Sequence, residues 1–281
     1  MSQNPDTTEE MTFWDHIEAL RKVLIQSAIV VGVISILFFV FMTALFDNVI
    51  LAPCTSDFVV YRWMCALSTR YEFLPDLCSN TFKVDLINYN LNSQFFVHMT
   101  TSFWLGIVLS FPIVIFLLWS FISPALYPHE KRNARWAFLF GNVMFYLGLA
   151  VGYFSVFPMT LRFLATYQVS EMIPNMISLE SYMNNFLTLI FMMGLVFELP
   201  LLCWLLSSMG LLHRSFFREY RRYAVVVLLI VAAIITPADP FSMLMLFIPL
   251  YLLYEGSAYI VKKDDPEDEE ESESLTVSKQ D

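Results

Sequence analysis

Six apolar runs decide what this chain can become. They lie at about 24–46, 95–122, 136–157, 182–208, 223–236 and 241–260, in 281 residues that are 57% hydrophobic with a mean hydropathy of +0.60. A bilayer core takes about 20 residues of helix, and inside it every backbone polar group must be satisfied within its own element. Five runs reach that length. The run 223–236 is marginal, at about 21 Å of helix, so it must draw on its flanks or thin the membrane locally. Pro237 and Pro240 bracket the turn after it, so the last two runs read as a short helical hairpin. The expected fold is an all-α integral membrane protein with six transmembrane helices.

The charge distribution sets the orientation. Formal net charge is −10, but residues 264–281 hold nine acids against Lys279, a net −8 that leaves −2 for the remainder. A near-neutral membrane body with an acidic tail follows, and nothing in it points to a nucleic-acid partner. Arg21, Lys22, Lys131, Arg132, Arg135, Arg214, Arg218, Arg221, Arg222, Lys262, Lys263 and Lys279 collect on one side, 12 of the 16 basic residues. Arg62, Arg70, Lys83 and Arg162 fall on the other. The basic excess marks the cytoplasm, so both termini are expected there. Residues 1–11 are polar and acidic, without the basic segment of a cleavable signal. The organisation then reads as a flexible N-terminus (1–11), a membrane domain (12–262) and an acidic disordered tail (263–281).

Glu198 is the only Asp, Glu, His, Lys or Arg in the 27 residues 182–208. A carboxylate at bilayer depth costs at least ~2.5–3.5 kcal/mol, which makes it a functional candidate. The plainer reading is a neutral carboxyl, or one paired with a polar group on a neighbouring helix. Other deep polar positions are His98, Asn142 and Glu255, the last near the cytoplasmic end. Ahead of the first run, Thr12 can cap a helix, with Asp15 three residues on. Phe13, Ile17, Leu20 and Leu24 share one apolar face, so an amphipathic helix is expected at the interface before it turns into the first span. Glu18 has Arg21 and Lys22 at i+3 and i+4, the spacing of an ordinary intrahelical pair. Glu130 sits in the first turn of a helix opened by Pro128, where a carboxylate complements the dipole.

The first outside loop, about 47–94, is long enough for local structure and carries Cys54, Cys65 and Cys78; Cys203 lies within a run. One disulfide is possible among the three, and the pair is open. Gly148 and Gly152 read as a close-packing face. Enzyme chemistry finds no support: there is no phosphate-binding loop, no His-Glu-x-x-His and no Gly-x-Ser-x-Gly, and His16, His98, His129 and His213 make no ligand set. No metal or cofactor is expected.

Several stretches carry a family resemblance. They are His16-Ile-Glu-Ala-Leu-Arg-Lys22, Ser110-Phe-Pro, Trp119-Ser-Phe-Ile-Ser-Pro-Ala-Leu-Tyr-Pro-His-Glu130-Lys-Arg, 153–158, Phe197-Glu-Leu-Pro200 and Thr236-Pro-Ala-Asp239. In this order, from about residue 12 to 262, the chain resembles the TatC family, the receptor core of the twin-arginine protein translocase. The resemblance implies a concave, glove-like bundle with short fifth and sixth helices in the inner membrane of a bacterium. It implies binding of twin-arginine signal peptides of folded cargo at the cytoplasmic face, with Glu18 and Glu130 as the acids. Phe121 would close around the motif, and Arg21 would hold Glu18 between cargoes. Paired guanidiniums fit carboxylates in a way lysine does not. Such bonds are worth about 1.5–3 kcal/mol when partly shielded and about 0–1 when exposed.

By the same resemblance Glu198, with Thr236, forms an intramembrane polar site contacting partner helices of the TatA and TatB type, and the protein also assembles with other copies of itself. The proton-motive force would supply the energy. Pro53 and Asp239 match positions on the outside loops, where turn and cap chemistry explains them equally well. The long first loop with its cysteines, the acidic tail, and Met243 where the family often has a polar residue all depart from the pattern. A different class of function is a proton-coupled small-molecule transporter with Glu198 as carrier.

Overall fold

The computed structural model describes residues 13–69, 82–123, 128–170, 172–173, 175–208, 212, 214–236 and 239–261. The stretches 1–11 and 263–281, Thr12, Cys78 and Pro237 lie outside the described residues. Ten α-helices account for most of it: α1 (Phe13–Leu45), α2 (Val59–Ser68), α3 (Ser93–Ile122), α4 (Pro128–Val151), α5 (Phe157–Thr166), α6 (Leu179–Val196), α7 (Leu199–Ser208), α8 (Arg214–Glu219), α9 (Arg221–Ile235) and α10 (Pro240–Ile260). Two short strands, β1 (Leu86–Ile87) and β2 (Ile177–Ser178), pair in parallel.

Five segments are long and apolar enough to cross a membrane: Ile17–Thr43, Ser93–Ile122, Arg135–Thr166, Leu179–Ser207 and Pro240–Ile260. Their outer faces confirm what solvent they meet. Ile36, Val40 and Phe41 on α1 are 67%, 67% and 71% exposed. A helix that is apolar all round and bare on most sides needs lipid around it. Helix α9, with 15 residues, is about 22 Å long and falls short of a full crossing by length alone.

Three elements differ from the sequence expectation. The amphipathic stretch and the first apolar run form one continuous 33-residue helix. Nothing from Ile17 to Val31 is Gly or Pro, so no residue there breaks the hydrogen-bond ladder. The run 182–208 is two helices, α6 and α7, separated by a turn at Phe197 and Glu198. Pro200 has no N–H to return to Val196, so the ladder must rearrange just before it. Likewise α4 passes into α5 through a π-helical turn, Gly152–Val156, ahead of Pro158. One wide turn there accommodates the missing proline donor.

The helices alternate between two ends. The end holding 46–69, 82–92, 167–170, 175–178, Thr236 and Asp239 is called the cap end; the other holds the start of α1. The core lies toward the cap end, where Ile50, Phe157, Tyr182, Met183, Leu246 and Leu250 are almost wholly buried. Phe157 meets Tyr182 and Phe186 edge-on, with ring centroids 5.4 and 5.0 Å apart, the arrangement aromatic quadrupoles favour. The Tyr182 hydroxyl donates to the Ile50 carbonyl at 2.6 Å. A satellite core of Phe58, Tyr61, Met64 and Phe82 holds α2, and the β1–β2 pair joins the first loop to the segment before α6.

Candidate functional site

Glu198 occupies the break in the fourth span. Its N–H donates to Leu195 and its carbonyl accepts from Leu202, so the backbone is satisfied through the turn. The side chain leans on α4. A Cβ placed on Gly141 would lie 2.9 Å from Glu198 Oε2 and 2.6 Å from Leu201 Cδ2. Glycine at 141 therefore makes the room that the carboxyl fills. Among the described residues Glu198 Oε1 is buried without a hydrogen-bond partner, and so is Oδ1 of Asn142, the next residue along α4. The Asn142 amide donates to Phe138 within its own helix, at 3.0 Å. Two orphaned acceptors on facing helices are costly at this depth. Such a pocket recruits a proton, water or an outside donor.

Just above, α4 and α6 approach closely. A Cβ on Gly148 would sit 2.6 Å from the Met193 carbonyl oxygen and 2.8 Å from Phe197 Cβ, and one on Gly152 3.1 Å from Ile190 Cα. These glycines are a packing face, as their spacing suggested. His98 also has a structural role: it stacks on Phe39 at 4.2 Å and its Nε2 is 2.9 Å from the Phe39 carbonyl.

The α1–α3 contact fixes a register. His98 meets Phe39, and a Cβ on Gly106 would strike Ser35 Oγ. The two helices are thus antiparallel, and continuing the register sets Glu18 level with the C-terminal turn of α3, where Phe121 lies half-buried. Trp119 packs on Phe138 at 5.1 Å, tying that turn to α4. Glu130 belongs to the first turn of α4; its side chain lies outside the described residues. Glu18, Arg21 and Lys22 are all exposed. Ion pairs among the described residues are Lys83–Asp85 and Arg221–Glu255, so the expected Glu18 pair with Arg21 or Lys22 is not formed.

At the cap end, Pro53 is buried in a 3-10 turn, Ala52–Cys54. The Tyr61 hydroxyl is 3.1 Å from both the Pro53 and the Pro158 carbonyl oxygens, linking loop to span. The Arg162 guanidinium lies over the Tyr61 and Phe82 rings at 5.7 and 5.9 Å. Cys65 is disulfide-bonded, while Cys54 and Cys203 carry free thiols. Burial pushes the Cys54 thiol up to about 11, although a hydrogen bond with Tyr182 pulls the other way. Asp239 caps α10, its Oδ1 accepting from the Ser242 N–H at 2.7 Å, with Oδ2 buried and unpartnered among the described residues. Thr236 is buried and donates to the Ala232 carbonyl at 2.9 Å. No group of three or more metal-ligating side chains occurs among the described residues.

Residues 15–249 match the family described as Sec-independent protein translocase protein (TatC). The chain belongs to the TatC family. Its similarity to the TatC protein of Blattabacterium sp. subsp. Periplaneta americana is 32% identity over 252 residues, 89% of this chain and 95% of that one. The Helicobacter pylori strain 26695 relative is 38% identical over 196 residues, 70% of this chain and 77% of its own. Among solved structures, a crystal structure of the twin arginine translocase receptor TatC shares 28% identity at a TM-score of 0.67, covering 87% of this chain and 97% of that one. A second, in DDM, gives 27% and 0.70, with 88% and 99% covered. The protein is thus a multi-span membrane component of a protein translocase family.

As a TatC-family chain it holds one polar cluster that sequence reasoning did not assemble. Arg221 at the start of α9 pairs with Glu255 at 2.6 Å and donates from Nε to the Tyr251 hydroxyl at 3.0 Å. Tyr251 in turn donates to Glu255 at 2.8 Å. Glu255 and Arg221 were each visible in the sequence, but no spacing rule joins residues 34 apart across a turn. Met243 packs against the core, so the family's polar position there is filled by an apolar contact.

Proposed function

We propose that this chain is the core receptor subunit of a twin-arginine protein translocase. It sits in a bacterial inner membrane as six helices in a concave, glove-like bundle, both termini cytoplasmic, with α9 as the short fifth helix. Glu18 and Glu130 bind the consecutive arginines of a signal peptide, while Phe121 shields the pair from water; Arg21, one turn along α1 from Glu18, stays unpaired with it in the cargo-free chain. The observation that carries this reading is the α1–α3 register, which brings the helical turn of Glu18 level with Phe121, one short connection from the turn of Glu130. Two carboxylates near an aromatic wall make the semi-dry site in which charge-assisted bonds exceed the near-zero value of exposed pairs.

Glu198 is the intramembrane polar site for partner helices of the TatA and TatB type, and Thr236, at the cap-end terminus of α9, is a separate point of contact rather than part of the Glu198 pocket. The unpartnered oxygens of Glu198 and Asn142 support an outside donor there. Cargo movement draws on the proton-motive force, and copies of the chain assemble together. Pro53 and Asp239 shape the cap end. Site-directed photo-crosslinking of a twin-arginine signal peptide tests the receptor reading. Glu130→Gln should reduce adducts about tenfold, the equivalent of ~1.4 kcal/mol, while the protein stays inserted. Undiminished adducts in both Glu130→Gln and Glu18→Gln would remove the assignment.

A further inference from the structure

A cavity of about 900 Å³ opens between the N-terminal halves of α3 and α6 at the cap end. It has a layered lining. Its rim carries Asn90, Asn92 and Glu180, with Tyr89 beside them; its floor is Trp104 and Leu187. From Ser93 to Trp104 the helix descends about 16 Å, close to the depth of one leaflet from headgroup to mid-chain. Thr100, Asn184 and Thr188 fall between rim and floor. The gradient is that of a phospholipid: a charged head, a hydrogen-bonding ester belt, then hydrocarbon.

Charge chooses the headgroup. Among the described residues Glu180 is the one formally charged residue in the lining, and no Lys, Arg or His accompanies it there. Its Oε2 accepts a single 3.3 Å bond from Asn90 Nδ2, and both ion pairs among the described residues lie elsewhere. The described rim therefore offers carboxylate and amide acceptors, and none of its described residues is a cation to meet an anionic head. An ammonium with three N–H donors satisfies several acceptors at once, which a quaternary ammonium lacks the protons to do. The Tyr89 ring adds the face an ammonium prefers.

We propose that this cavity binds a phospholipid with a primary ammonium headgroup, its amine against Glu180 and its chains along Trp104 and Leu187. The site is independent of the proposed signal-peptide recognition at the opposite end.

Native mass spectrometry of the full-length protein, delipidated and re-equilibrated with lipids of identical acyl chains, tests the assignment. The three probes are a phosphatidylethanolamine, its N-trimethylated counterpart and a phosphatidylglycerol. One phosphatidylethanolamine should be retained at about fivefold the occupancy of either other lipid, the preference expected of one shielded ion pair. Glu180→Gln, an exposed substitution that preserves shape, should abolish the preference. Thr188→Phe, which fills the belt, should lower retention of all three lipids. Equal retention of the three lipids by the unaltered protein, or a preference that survives Glu180→Gln, overturns the proposal. So does photo-crosslinking from Asn184→p-benzoylphenylalanine in native membranes that yields adducts with a precursor chain and none with lipid.

Discussion

Glu198 gathers the chemistry of the membrane interior onto one side chain. It stands in a turn that Pro200 creates, against a glycine on the facing helix, with one oxygen unpartnered among the described residues. Its isostere separates charge from shape. Glu198→Gln keeps the contacts to Gly141 and Leu201, so the protein should insert and bind signal peptide as before. Export of a folded reporter, measured in cells, should fall about tenfold if partner docking needs the acid, the equivalent of ~1.4 kcal/mol. Unchanged export would return Glu198 to a packing role. The transporter alternative is less favoured than the family reading. Purified protein in liposomes should move neither protons nor small solutes without cargo, and a measurable flux would revive it.

Among the helices, α4 and α6 cross at close range. Gly148 faces backbone and a Cβ, atoms that cannot rotate aside, whereas Gly141 faces the mobile ends of Leu201 and Glu198. Gly148→Ala should therefore cost about 1–3 kcal/mol through overpacking, and Gly141→Ala distinctly less, read as thermal stability in detergent. Equal losses would mean that the crossing yields. These elements also mark what the sequence made legible. The spans followed from run length, because lipid forces long apolar helices. The glycine pair followed from its four-residue spacing. The break at Phe197 and Glu198 was not read, since an apolar run conceals a proline whose cost falls on a single hydrogen bond. The β1–β2 pair and the Arg221–Tyr251–Glu255 cluster join residues from about 30 to 91 positions apart, and two-residue strands leave no periodic signal.

At the scale of the whole molecule, the bundle has two unlike ends. The cap end is braced by buried aromatic residues, the Tyr61 link, the Asp239 cap and a disulfide at Cys65. The opposite end carries exposed Glu18 and Arg21, level with the last turn of α3 by the α1–α3 register. A rigid cap with a chemically open far face suits a receptor that holds its form while ligands come and go. Family membership was legible from short motifs in order: the motif at 197–200 marks a break the fold requires, whereas that at 110–112 lies within α3. The level of Glu18 with the last turn of α3 was not legible, because residues about 100 positions apart share no spacing rule. On the proposed reading, paired carboxylates at this face read paired arginines. Co-purification of a tagged precursor from native membranes, with Arg-Arg or Lys-Lys in its leader, tests it most directly. The account predicts about tenfold greater recovery with Arg-Arg, a difference that vanishes in the Glu18→Gln, Glu130→Gln double variant. Equal recovery of the two leaders by the unaltered protein, or discrimination that persists in the double variant, would contradict it.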